Sequence, residues 1–176
     1  MAARLVESPG GPQVRRGSQL ITLAPATAAD VDDFVALATE MDVFYGDVRP
    51  DPPQQRAAEI SSVLFGVPPA AFALLARDDT EKLVGFAAYS FLWPAAGLSA
   101  SLYLKELYVA GTARRTGVAT ALMRGLYTTA AERGCSRVEW TTDESNEQAK
   151  AFYAALGAKP LPSKIFYRAE GDVLSS

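Results

Sequence analysis

The stretch Leu107-Tyr108-Val109-Ala110-Gly111-Thr112-Ala113-Arg114-Arg115-Thr116-Gly117-Val118-Ala119-Thr120 decides how this chain is read. A strand-like run enters a loop with two arginines, and a helix with a first turn of small residues follows. The first amides of a helix lack partners and carry about half a positive charge, so they suit a pyrophosphate. Gly117 and Ala119 let an anion approach the backbone, while Arg114 and Arg115 add local cations. No Gly-Lys-Ser/Thr follows, which excludes a Walker loop, and the Gly-x-Gly-x-x-Gly dinucleotide fingerprint is absent. Taken alone, the segment also fits an arginine-rich loop before an ordinary helix.

Working outward, Leu20–Leu23 reads as a short strand. Thr27-Ala28-Ala29-Asp30 has the form of a capping box opening a helix, with Val31, Phe34, Val35, Ala38 and Met41 on one apolar face. Asp51-Pro52-Pro53 suits the start of a second helix running to Gly66, with Asp51 as N-cap. Ala71–Arg77 and Leu83–Trp93 read as a hairpin around Asp78-Asp79-Thr80, and Ser99–Val109 as a third strand. A helix from about Gly117 ends at Gly134, with Arg137–Thr142 as the next strand. Asn146–Leu156 is a helix closed by Gly157, and Lys164–Arg168 a final strand. This order predicts an α/β (α+β) fold with a mixed central sheet flanked by helices. One domain is expected over residues 19–170, with a flexible tail at 1–18 and a short one at 171–176.

Composition narrows the chemistry. The 176 residues are 49% hydrophobic and carry a net charge of −3, which argues against general nucleic-acid binding. No apolar run reaches membrane-spanning length. With His 0 there is no imidazole base or His-ligated metal, and Cys 1 excludes an internal disulfide and fits a reducing, cytoplasmic compartment. Chemistry must fall to carboxylates, Tyr, Ser/Thr, Lys, backbone amides or a cofactor.

On these residues the chain resembles the GNAT superfamily of acyl-CoA N-acyltransferases. Arg114, Gly117 and Ala119 meet its Arg/Gln-x-x-Gly-x-Gly/Ala pattern directly after the strand Leu107-Tyr108-Val109. The second block is present too: Trp140 on the next strand, then Asn146-Glu147-Gln148-Ala149, Phe152-Tyr153 and Leu156-Gly157-Ala158. The resemblance covers about residues 20 to 168. Within the superfamily, Leu83–Ala87, Leu102–Val109 and Asn146–Ala158 look most similar to the spermidine/spermine (diamine) N-acetyltransferases.

The resemblance implies a mostly antiparallel sheet whose strands splay at a cleft for acetyl-CoA. Backbone groups of Leu107, Tyr108 and Val109 would run beside the pantetheine arm. Amides from Arg115, Thr116, Gly117, Val118, Ala119 and Thr120 would cradle the pyrophosphate, and Asn146 would help hold the arm. Tyr153 matches the family's general acid for the departing sulfur. Diamine acetyltransferases carry an adjacent Glu-Asp pair on this strand, but the glutamate position is Lys105 here and only Glu106 remains. Neighbouring strand residues face opposite ways, so Glu106 does not simply replace its neighbour. It is a candidate base, substrate ligand or structural carboxylate. Asp42, Tyr45 and Asp47, with Glu40 nearby, form an acidic and aromatic cluster suited to a cationic acceptor or to a solvated loop. Trp93 fits a pocket wall or an ordinary packing role.

The resulting expectation is acetyl transfer to the primary amine of a small cationic acceptor (polyamine, diamine or amino-acid-like), with no nucleic-acid or membrane partner. A protein amine, an aminoglycoside-type antibiotic, and a non-catalytic acyl-CoA-binding module are the alternatives. The family often dimerises, and the apolar Phe91–Leu98 stretch makes a homodimer one expectation.

Overall fold

A computed structural model describes residues 13–16, 19–46 and 51–174. Two compact units are distinguished, residues 1–141 and 142–176. Each is described by itself.

The first unit is built on a sheet in simple sequential order. Its strands are β1 (Gln13–Arg16), β2 (Gln19–Pro25), β3 (Phe72–Arg77), β4 (Leu83–Leu92), β5 (Ser101–Val109) and β6 (Val138–Glu139). The first five pair antiparallel and β6 runs parallel to β5, as the helix between them requires. The expected mixed, mostly antiparallel sheet is borne out. β1 lies in the stretch read as a tail, where its register partners in β2 were not visible from the sequence.

Two helices, α1 (Val31–Phe44) and α2 (Pro53–Phe65), link β2 to β3. The Asp30 carboxylate accepts the Thr27 amide at 2.8 Å, as the capping box predicts, and also the Thr27 hydroxyl at 2.7 Å. It also pairs with Arg77 at 2.6 Å, tying the start of α1 to the end of β3. Pro52, not Asp51, occupies the N-cap of α2; it has no side-chain acceptor, and Pro53 behind it leaves one fewer orphan amide to satisfy. In the hairpin, Asp78 Oδ1 accepts the Thr80 amide at 2.9 Å and the Lys82 amide at 3.1 Å. That bonding accounts for the expected turn.

Strand alternation sends neighbouring side chains to opposite layers. Ala73, Leu75, Phe86 and Tyr108 pack with Phe34, Leu37 and Ala38 of α1. The other face carries α3 (Val118–Glu132), whose Leu122, Met123 and Leu126 are fully buried. Contacts there are close: a Cβ on Gly125 would lie 2.5 Å from Leu74 Cδ2. Burying each large aliphatic side chain contributes about 1.5–3 kcal/mol, so this helix is strongly fixed to the sheet. Gly134, at φ +65°, ends α3 as expected, with its amide and that of Cys135 returning to Ala131 and Ala130 at 3.0 and 2.8 Å.

In the second unit, α4 (Glu147–Ala155) is capped by Asn146, whose side chain accepts the Ala149 amide at 3.0 Å. Gly157, at φ +84°, closes it. The expected strand at Lys164–Arg168 is not formed. These residues have no ladder partner among the described residues, and Ile165, Phe166 and Tyr167 are 74%, 64% and 83% exposed. Local apolar character does not make a strand without a neighbouring one to pair with. Likewise, the strand expected at Arg137–Thr142 is reduced to Val138–Glu139.

Candidate active site

The short β6 gives β5 a free edge. Leu102 and Tyr103 pair with Val138 and Glu139, and from Leu104 through Val109 no further ladder forms on that side among the described residues. This is the expected splay. Alternate backbone groups of an unpaired edge are available to an extended ligand with amides of its own.

At the end of β5 the chain turns through Gly111–Ala113 into α3. Arg115 and Gly117 both adopt left-handed backbone, at φ +63° and +98°. These two positions, either side of Thr116, turn the chain sharply into the N-terminus of α3. The Ala121 amide bonds the Gly117 carbonyl at 2.9 Å, so the amides of Val118, Ala119 and Thr120 precede the first intrahelical bond. Val118 is itself buried against Gly85, where an added Cβ would come within 2.8 Å of Val118 Cγ1. Only its backbone remains for a ligand. The residues fit a pyrophosphate: a sharp left-handed turn, a helix terminus with three amides before its first bond, and small side chains.

The two arginines have separate fates. Arg115 is exposed, whereas Arg114 folds back onto Phe44, its guanidinium 3.9 Å from the ring centroid. Arg114 Nε also donates to the Val109 carbonyl at 3.2 Å. Arg114 is thus held by an aromatic face and a carbonyl, which leaves its Nη groups as the part able to meet an anion. Glu40 Oε1 accepts the Gly111 amide at 2.9 Å and the Tyr108 hydroxyl at 3.1 Å, and Glu40 is not among the residues lining the cavity described below. The Tyr108 side chain is buried in the α1 layer, away from the free edge.

The register of β5 on β4 shifts at one place. Ala88 faces Glu106 and Tyr89 faces Leu104, so Lys105 is an extra residue in a bulge. Strict alternation breaks at a bulge. The sequence could not show it, having only the period-two rule to apply. Lys105 is exposed and Glu106 half-buried.

Glu106 lines a cavity of about 330 Å³ between the sheet and the α1–α2 pair. Phe34, Ala38, Met41 and Ile60 give it apolar walls, while Asp42, Arg56 and Glu59 join Glu106 as its polar groups. Burial pushes the Glu106 carboxyl above the ordinary carboxylate range, and the nearby Asp42 charge adds to this. The Leu107 amide and Lys105 oppose the shift without cancelling it. A raised carboxyl in a cleft is a candidate proton acceptor.

Of the predicted acceptor residues, Asp42 is in the cavity but forms an ion pair with Arg56 at 2.7 Å. Tyr45 caps the end of α1, 63% exposed beside Phe44. Asp47 lies outside the described residues. Trp93 is a loop residue whose indole donates to Leu98 O at 2.8 Å. Arg56 and Glu59 were missed in the sequence, since only the packing of α2 on α1 brings them to Glu106. In the second unit, Tyr153 is half-buried on α4 with its ring 5.2 Å from that of Phe152. The side-chain oxygen of Asn146 serves as the helix cap.

The Acetyltransferase (GNAT) family profile matches residues 34–158, which takes in both helices, the cavity, the loop and α4. The chain belongs to the GNAT acetyltransferase family. Acetyl-CoA is the acyl donor of that family. A D-amino-acid N-acetyltransferase of Saccharomyces cerevisiae is 31% identical over 99 residues, 56% of this GNAT chain and 60% of that enzyme. The match to this relative thus spans less than two thirds of its length. Aminoglycoside N(6')-acetyltransferase type 1 of Serratia marcescens is 30% identical over 119 residues, 66% of this chain and 80% of that one. Among solved structures, an integron cassette protein from the mobile metagenome of V. cholerae superposes with a TM-score of 0.81. It is 30% identical, with 88% of this GNAT chain and 95% of that chain covered.

Proposed function

We propose that this chain transfers an acetyl group from acetyl-CoA to the primary amine of a small cationic acceptor (polyamine, diamine or amino-acid-like) by direct attack in a ternary complex. The observation that carries the proposal is the position of Glu106. It sits at the bulge of β5, where its carboxyl lines a mostly apolar cavity and the same strand offers a free edge.

When bound, acetyl-CoA supplies the thioester carbonyl that the amine attacks. The edge of Leu107 and Val109 holds the pantetheine arm, and the amides from Arg115 to Thr120 hold the pyrophosphate. An alkyl ammonium has a pKa of about 10.4, so only roughly one molecule in a thousand is neutral at pH 7. Glu106 takes the amine's proton, directly or through water, and its raised pKa makes it a better base than an ordinary carboxylate. Asp42 and Tyr45 help to draw in the cation, and Asp47 is proposed with them. Tyr153 returns a proton to the departing sulfur, a role proposed on the match of Asn146–Ala158 to the family's second block. Lys105, exposed and not among the cavity residues, leaves the acceptor side free of the opposition its sequence position suggested.

The test is thiol release from acetyl-CoA with polyamines, amino acids and aminoglycosides as acceptors. Tyr153→Phe is expected to cut turnover substantially with CoA affinity nearly unchanged, and unaltered turnover removes Tyr153 from the mechanism. An aminoglycoside acceptor is the second reading, favoured by the Serratia marcescens relative.

A further inference from the structure

The acceptor cavity contains one cation that the proposed reaction does not use. Arg56 enters it from α2, and Asp42 binds its Nη2 at 2.7 Å. Its Nε is buried without a hydrogen-bond partner, the sole buried side-chain nitrogen or oxygen among the described residues in that position. Buried donors are as a rule satisfied, and a charged one left unpaired is costly. The guanidinium edge is a planar fork that matches a carboxylate through two parallel bonds. Asp42 fills only part of it.

The rest of the cavity has a defined polarity. Glu106 stands on the sheet side and Arg56 on the helix side, with Phe34, Ala38, Met41 and Ile60 lining the space. Glu59, exposed at α2, is engaged by Gln55 Nε2 at 3.1 Å. Such a space has a place for an amine beside Glu106, an apolar body, and an anion at Arg56. A polyamine has no group for Arg56 and would bring a second ammonium toward it.

Resting on the acetyltransferase reading above, we infer that the acceptor is a zwitterion, an amino acid with an apolar side chain, and that Arg56 recognises its carboxylate. The incoming carboxylate gives the cavity-lining guanidinium a second acceptor beside Asp42, at the nitrogens other than the buried Nε. Its amine is thereby held toward Glu106. Arg56 is a specificity-determining residue and takes no part in proton transfer.

Matched acceptors test this: leucine against isopentylamine, and phenylalanine against phenethylamine, each with acetyl-CoA and followed by thiol release. After correction for the fraction of neutral amine, the amino acids are expected to have kcat/KM at least about tenfold higher, the equivalent of one good charge-assisted contact. Arg56→Met is expected to collapse that ratio toward one, chiefly through KM for the amino acid. Comparing ratios at one pH cancels differences in amine pKa. Arg56→Lys, which keeps the charge and loses the fork, is expected to fall between the two. If Arg56→Met does not fold, the wild-type ratio and Arg56→Lys still decide. Equal or better use of the plain amines or of polyamines by the wild-type protein overturns the zwitterion and leaves the acetyltransferase reading standing. Failure to turn over any amine overturns both.

Discussion

The two sides of β5 are made from different material. On its free-edge side, the proposed seat of acetyl-CoA consists of backbone: strand amides, a left-handed pair at Arg115 and Gly117, and the first turn of α3. On the other side, the acceptor cavity consists of side chains from α1, α2, β4 and β5. On this contrast, one half is expected to tolerate little change in residue size and the other to be retuned by substitution. A backbone site needs small residues and a rigid support. A side-chain site needs only the right groups at its walls.

Substitutions that strike one side and spare the other test this division. The largest effect is expected from Glu106→Gln, which should lower turnover by about a hundredfold or more while acetyl-CoA affinity stays near that of the wild type. The same change has a sign in stability. The folded state raises the Glu106 pKa, so the carboxyl destabilises the fold as pH rises from the ordinary carboxylate range through the folded value. Glutamine escapes that penalty. Thermal unfolding should show a higher Tm for Glu106→Gln at neutral pH, with the gain vanishing in acid. In the wild type, the acid limb of the kcat/KM profile should lie above that of an unperturbed glutamate.

Gly85→Ala strikes the opposite side. The new Cβ would meet Val118 Cγ1 at 2.8 Å and the Tyr108 carbonyl at 3.0 Å, both at the base of the turn into α3. Overpacking of this kind costs about 1–3 kcal/mol. A lower denaturant midpoint and a higher KM for acetyl-CoA are expected, with the ranking of acceptors unchanged. A changed ranking would mean that the two sides are not separable.

Glu40→Ala probes the link between them, because Glu40 on α1 holds Gly111 of the loop and Tyr108 of β5. Losing both bonds should cost about 1–3 kcal/mol and raise KM for acetyl-CoA. Glu40→Gln keeps an acceptor oxygen and should restore most of both. The smallest effect is expected from exposed Arg115→Ala: a few-fold rise in KM for acetyl-CoA that shrinks as salt is added.

What could be read in advance follows the same division. The turn into α3 was legible in part, because Gly117 permits left-handed backbone and Ala119 close approach, whereas the left-handed Arg115 carried no such signal. The Thr27–Asp30 cap, the Asp78 turn and the Gly134 helix end were legible because each is closed within a few residues. Glu106 was visible as a carboxylate, but its orientation was not, since the bulge at Lys105 exists only in the register of β5 on β4. The ring contacts of Arg114 were hidden for a related reason: its partners Phe44 and Tyr108 are remote in sequence or concealed by the turn. The Lys164–Arg168 segment shows the reverse error, strand-like residues with no strand beside them.

The sequence by itself determined the elements from β2 to α4, the strand–loop–helix proposed to bind an anion and, by lacking histidine, the exclusion of an imidazole from proton transfer. Tertiary structure decided which side chains meet. Local rules reach only as far as hydrogen bonds within a few residues. The Asp42–Arg56 pair, the half-used guanidinium and the burial of Glu106 arise when α1 and α2 pack over the sheet, and no spacing along the chain encodes that encounter.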